Sequence, residues 1–221
     1  MKGLRIVLAA LVIVALSGVY LGCEEEDNIL PKISQGEWTR MGWEAWSTSD
    51  FDNAIRYFGN ALKVDDNYMP AYNGFGWTYM RLQDTETSVD YFENGILYGA
   101  AYANDDTDKR GLYVGLMHAL EATDDFGGAV NAGNTYLSMD PPPSTPGGAG
   151  GTWEHKYDKR LSAYDAYIIL AVSHFALGHQ EKCVDMVHYM QRKLGENDDY
   201  EFTTWANLAA KIGEMAGKDP T

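Results

Sequence analysis

The chain has 221 residues, 45% hydrophobic and 13% aromatic, with a formal net charge of −15. This is a globular composition, long enough for one domain or one short solenoid with a sizeable core, and it excludes a disordered chain. So acidic a surface repels phosphate backbones and anionic headgroups, which argues against nucleic-acid binding; its ordinary role is solubility.

In chain order, Lys2 and Arg5 precede an apolar stretch from Ile6 to Gly22; Cys23 and the acidic run Glu24 to Asp27 follow. A basic start, an apolar run and a small residue at its boundary describe a secretory signal over residues 1–22. The boundary "YLGC" resembles the lipobox of bacterial lipoproteins, in which the cysteine becomes the acylated first residue. Leu21 and Gly22 fit that pattern, and Tyr20 stands where the family usually has leucine. The resemblance implies lipidation at Cys23 and a lipid-anchored, extracytoplasmic place in a bacterial cell envelope, periplasmic or surface-facing. The competing reading is an uncleaved anchor, since the apolar run is near the lower length limit for spanning a bilayer. Residues 23–34 read as an acidic tether interrupted by Pro31. With Cys23 acylated, Cys183 is the one remaining cysteine, so no internal disulfide framework is expected.

From residue 35 a period emerges. Trp38, Met41, Gly42 and Ala45 fall, 34 residues on, over Tyr72, Phe75, Gly76 and Tyr79, and Ala54, Phe58 and Ala61 fall over Ser88, Phe92 and Gly95. The same internal spacing returns with Tyr113, Leu116, Met117, Leu120 and Ala129, and with Tyr167, Leu170, Ala171, His174 and Cys183. Each set places residues i, i+3 and i+7 on one helical face. A single helix pair cannot bury two such faces, so successive pairs must stack. Gly42 and Gly76 are expected to permit close approach of the first helix to the second. Cys183 shares the small position with Ala54, Ser88 and Ala129, and reads as a buried packing residue.

Carried by "WTRMGWEAWSTSDFDNAIRYFGNALKVDDN" and "YNGFGWTYMRLQDTETSVDYFENGI", with two degenerate copies after them, the pattern resembles the tetratricopeptide repeat (TPR). The resemblance covers about residues 35 to 195. It implies an all-α, right-handed α-solenoid of about four helix hairpins, to which a C-terminal capping helix is added. Ser49-Asp50 and Asp84 are expected to cap second helices, and Asp124-Asp125 precede the helix at Phe126. The insert "SMDPPPSTPGGAGGTWEHKYDKR" separates units three and four; Pro141 to Pro143 stiffen its start, Gly147 to Gly151 loosen its end, and its length marks it as functional or mobile. Tyr200 to Gly217 reads as a final amphipathic helix with Trp205, Leu208 and Ile212 on one stripe. The helical domain is thus placed at 35–217, with a Pro/Gly-rich loop at 140–152 and a tail at 218–221.

Catalytic motifs are absent: no His-Glu-x-x-His, Cys-x-x-Cys or phosphate-cradling loop occurs, so no enzyme, cofactor or metal is expected. "NDDTDK" at 104–109 alternates oxygen ligands but lacks the glycine and late glutamate of a calcium loop. His174 falls in a packing row, and His155, beside Trp153 in the insert, reads as solvated. Trp43 and Trp77 follow the glycines and are turned away from the packing stripe. In the family the first helices line a concave face that binds partners, which would put Trp43, Trp46, Asn73, Trp77, Met80 and Arg81 in or near that groove, with His118, Glu121, Val172 and Phe175 from later units. Packing against neighbouring units is the competing role for the tryptophans. Large aromatics and arginine are favoured interface anchors. The basic clamp with which some family members hold chaperone C-termini is not reproduced. The expected function is a non-enzymatic, membrane-tethered scaffold for a protein or peptide partner of an envelope assembly. The alternative is a small-ligand or glycan-binding lipoprotein that uses the groove tryptophans and Trp153 as stacking platforms.

Overall fold

The computed structural model describes residues 32–99 and 106–218, with the side chains of 106 and 107 excepted. The expected signal, Cys23, most of the tether, the segment 100–105 and the last three residues lie outside it. Among the described residues the helices are α1 (Gln35–Ser47), α2 (Phe51–Val64), α3 (Met69–Arg81), α4 (Thr85–Tyr98), α5 (Asp106–Ala122), α6 (Phe126–Met139), α7 (Ala163–Ala176), α8 (Gln180–Lys193) and α9 (Trp205–Ala216). They form four antiparallel hairpins, α1/α2 to α7/α8, each stacked on the next, with α9 closing the end against α7 and α8. First helices of successive units also touch one another, α1 on α3, α3 on α5 and α5 on α7, whereas second helices pack chiefly on first helices. A row in mutual contact beside a row that is spread apart must curve, and the first helices lie on its inner side.

The turn inside each hairpin is the same device used repeatedly. Asp50, Asp84 and Asp125 accept the backbone N–H of Asn53, Thr87 and Gly128 at the N-termini of α2, α4 and α6, which satisfies one otherwise orphaned donor each. The residue before each cap is left-handed: Ser49 (φ 62°), Gln83 (φ 61°), Asp124 (φ 61°) and, in unit four, Gly178 (φ 73°). Only the last has the residue type that adopts this region without a Cβ penalty. Gln83→Gly should therefore raise stability by roughly 0.5–1 kcal/mol in urea titrations, the penalty removed outweighing the added freedom of the unfolded chain.

The repeated glycines form slots. The Phe58 ring of α2 enters between Gly42 of α1 and Gly74 of α3; a Cβ on Gly42 would lie 2.5 Å from the ring, and one on Gly74 would overlap it. Phe92 of α4 is held in the same way by Gly76 and Gly115. What approaches the glycine is thus a phenylalanine ring from the second helix, and the glycines on the following unit, Gly74 and Gly115, are equally part of the slot. In unit three the sizes are exchanged: Met117 stands at the glycine position and Gly133 at the phenylalanine position, where Leu170 of the next unit takes the space. Unit four has Ala171 and Val187. In unit three the space left by the small residue at one position is thus filled by a larger side chain from another.

The small row is fully buried at Ala54, Ser88, Ala129 and Cys183. Ser88 Oγ donates to Gly76 O at 2.9 Å and Cys183 Sγ to Ala171 O at 3.3 Å, the same contact in units two and four. Burial pushes the Cys183 thiol up to about 11, which keeps it protonated and unreactive at neutral pH. The terminal helix begins later than expected: Thr204 caps it and residues 200–204 are not helical. Its buried stripe is Leu208, Ile212 and Met215; Trp205 is 40% exposed and packs edge-on to Phe175 and Phe202.

Candidate functional site

The insert between α6 and α7 does not hang loose. Asp140, at the C-cap of α6, is buried and gathers its far end: it accepts from Thr152 N (2.9 Å), Thr152 Oγ1 (3.1 Å), Trp153 N (2.8 Å) and Tyr136 OH (2.8 Å), with Arg110 Nη1 at 3.4 Å. Burial alone would raise its carboxyl pKa; the N–H donors of Thr152 and Trp153 and the hydroxyls of Tyr136 and Thr152 more than offset this and hold it below the ordinary value. Lys193 Nζ donates to Gly151 O at 2.5 Å, and Arg192 O accepts from Gly147 N at 2.8 Å. Gly151 is left-handed (φ 56°), and a Cβ there would overlap the Tyr167 hydroxyl. The glycines at this end serve close approach, not looseness.

Beyond Gly151 the chain runs extended and turns back. His155 N donates to Leu161 O (2.8 Å), Ala163 N to Trp153 O (2.9 Å), and Glu154 bridges Ser162 in antiparallel register. Burial alternates along the arm: Trp153 and His155 are buried, Thr152, Glu154 and Lys156 exposed, and Tyr157 half-buried. The inward side chains lie against the first helices. Tyr157 stacks on Trp43 at 4.5 Å, and His155 meets the edges of Trp43 at 5.2 Å and Trp77 at 5.1 Å, with Trp46 at 5.9 Å and Trp153 at 6.2 Å. The expectation of a solvated His155 is corrected: it is 3% exposed, because the period of two turns its ring under the arm. Trp153 is likewise buried and offers no open platform.

Trp43 and Trp77 occupy equivalent places, each edge-on to the slot phenylalanine behind it, Phe58 or Phe92, and to His155 in front. They are on the concave face and are 3% and 4% exposed, covered by the arm rather than by solvent. Of the six residues expected in the groove, Trp46, Trp77, Met80 and Arg81 line one open cavity of about 400 Å³, together with His118, Asp158, Arg160 and Leu161. Trp43 and Asn73 line a separate crevice beneath Trp153, His155 and Tyr157, whose volume is about 10 Å³, room for about one water. The Arg81 guanidinium lies 5.2 Å over Trp46 and 4.0 Å from Asp158, which also accepts from Arg160 Nε (2.8 Å) and Nη2 (2.7 Å). Glu121, Val172 and Phe175 do not line this cavity.

His155 Nδ1 accepts from Tyr157 N (3.2 Å) and Asp158 N (2.8 Å), so the proton of the neutral ring sits on Nε2. Burial lowers its pKa to about 4, with Asp158 acting to raise it and Lys159 to lower it; burial alone lowers His118 to about 4. Both values lie below the unfolded 6.5, so the unfolded chain takes up protons that the folded one refuses. Stability is then full above about pH 6.5 and declines as pH falls toward 4, by roughly 3 kcal/mol per histidine. Thermal melts across that window should show the loss, and His118→Gln should reduce its slope by about one proton.

Asp140 and Tyr157 were not legible as site residues, although "WEHKY" carries a period-two alternation and "YLSMD" puts Tyr136 and Asp140 one helical turn apart. Among the described residues no group of three or more His, Cys, Asp or Glu side chains could hold a metal ion.

The tetratricopeptide-repeat family model matches residues 38–68 and 70–98, which are units one and two. Residues 38–98 carry two tetratricopeptide repeats. A search of curated protein sequences finds no match. Among solved structures, this TPR array resembles MamA, at 17% identity over 84% of this chain and 93% of that one, with a TM-score of 0.52. It also resembles YrrB, described as a TPR protein with an unusual peptide-binding site, at 12% identity, 83% and 77% coverage and a TM-score of 0.55. PilW, a type IV pilus biogenesis factor, matches at 16% identity, 84% and 72% coverage and a TM-score of 0.55. At these identities the likeness is one of fold. Units three and four, outside the family match, keep the small buried row of units one and two at Ala129 and Cys183.

Proposed function

We propose that this TPR protein is a non-enzymatic scaffold, tethered to a bacterial membrane by lipid at Cys23, that binds a protein or peptide of a cell-envelope assembly on its concave face. The observation that carries the reading is the open cavity of about 400 Å³ where Trp46, Trp77, Met80 and Arg81 converge. It offers an apolar and aromatic wall beside a guanidinium, the mix that interface anchors fill. The peptide-binding site in the description of YrrB and the pilus-biogenesis role in that of PilW lend support to a peptide partner and an envelope setting. The signal over 1–22, the acidic tether over 23–34 and the tail over 218–221 complete this organisation.

A photo-crosslinking side chain at position 80 should trap one discrete partner in intact envelopes, and the same group at Glu93, exposed on α4, should not. With the crosslinking group at position 80, Arg81→Glu should abolish the adduct. Equal trapping from both positions would dispose of the concave-face reading. Mass spectrometry of the mature N-terminus should find acylated Cys23; an intact Met1 would dispose of the lipid tether.

A further inference from the structure

The arm from Thr152 to Asp158 lies in the groove as a bound strand would. Its alternate residues Trp153, His155 and Tyr157 face the helices and the intervening ones face solvent. The inward rings contact Trp43, Trp46 and Trp77, the aromatic residues of the concave face in units one and two. The fit is good for apolar surface and incomplete for polar groups. Among the described residues, Trp46 Nε1, Trp77 Nε1, Asn73 Oδ1 and His118 Nε2 are buried with no hydrogen-bond partner. A buried donor or acceptor left unmade costs about 1–3 kcal/mol. The arm therefore fills the groove without satisfying it.

We infer that the concave groove is a receptor for an extended peptide segment with aromatic or histidine residues at alternate positions, and that residues 152–158 occupy it in cis as a resident competitor. A partner segment binds by replacing the arm, seating its alternate rings on Trp43 and Trp77 and its backbone amides against the unpaired indole, imidazole and Asn73 groups. The arm is built for such an exchange. Its inner end is fastened at Trp153, by Asp140 and by the Ala163 N–H at the start of α7, whereas residues 154–161 beyond that anchor belong to no helix. The open cavity beside Leu161 and Asp158 is the free ground from which an incoming segment advances under it. The inference rests on the reading of the concave face as a binding surface, but it needs no knowledge of the natural partner.

The test uses the full chain and a fluorescein-labelled, end-capped peptide with the sequence of residues 151–158. In the variant Trp153→Ser/His155→Ser/Tyr157→Ser the resident rings are gone. If its helical circular-dichroism signal is retained, it should bind the peptide saturably and at least tenfold more tightly than the unsubstituted protein. A peptide with serine at its three inward positions should not bind, whereas one with serine at the Thr152, Glu154 and Lys156 positions should. No binding by the folded variant, equal binding by variant and unsubstituted protein, or indifference to which face of the peptide is changed would overturn the inference. If the triple variant loses its helices, Tyr157→Ser alone, at the half-buried end of the arm, should bind at least threefold more tightly than the unsubstituted protein; equal affinity would overturn the inference. Crosslinking from position 80 without peptide binding sinks this inference alone. Peptide binding without a crosslinked partner supports it while removing the envelope-partner reading.

Discussion

Phe58→Ala should lower the unfolding free energy by about 3–5 kcal/mol, the range for emptying a fully buried aromatic site. The ring is fully buried and is gripped from both sides by backbone that carries no side chain, at Gly42 and Gly74. Helical backbone cannot close over the space without breaking the repeat geometry, so collapse of the cavity is limited. Filling the slot from the other side should also destabilise: Gly74→Ala forces a methyl into the Phe58 ring, at a cost of about 1–3 kcal/mol. The decisive measurement is the cross between the two. Phe58→Leu together with Gly74→Ala should cost less than the sum of the single changes, with a coupling of about 1 kcal/mol in urea titrations. Unit three, with Met117 and Gly133 in exchanged positions, shows that the junction tolerates redistribution of volume. Strict additivity would show that Phe58 and Gly74 do not share one slot.

Asp140→Ala should be comparably severe, about 3–5 kcal/mol, because it breaks a buried pairing and leaves Tyr136 OH, Thr152 N, Trp153 N and the Arg110 guanidinium without their common acceptor. It should also carry a local signature that Phe58→Ala lacks. Freeing the inner end of the arm exposes Trp153 and, beneath it, Trp43 and Trp77, so native tryptophan emission should shift to longer wavelength before global unfolding. Asp140→Asn keeps one acceptor oxygen and should lose less, about 1–3 kcal/mol. The carboxyl pKa is depressed in the folded state, so its contribution is complete above the ordinary carboxylate range and is lost as pH falls through its lower folded value. An Asp140→Ala protein with unchanged stability and emission would mean that the arm is held by its ring contacts alone.

The solenoid was legible in the sequence because its determinants are local and repeated. Helix period, the capping aspartates at 50, 84 and 125, and the small row through Ala54, Ser88, Ala129 and Cys183 each lie within one unit, and a period of 34 residues displays them side by side. The helical start at Trp205 was less so: the apolar pattern from Tyr200 continues through Thr204, but that threonine's side chain accepts the Asn207 N–H and begins the helix there.

What the sequence by itself determined is a stack of α-hairpins packed through a repeated row of small residues, with a face of first helices rich in tryptophan after glycine. Those properties follow from residue spacing, since a helix places its side chains by a fixed angle whatever surrounds it. Only the tertiary structure decided that this face is covered. The contacts that cover it, Asp140 to Trp153 and His155 to Trp43 and Trp77, join residues from 13 to more than 100 positions apart. No periodicity links such pairs; an extended arm acquires partners only after the helices it crosses have assembled, and burial of a histidine among indoles is a property of that assembly rather than of the histidine.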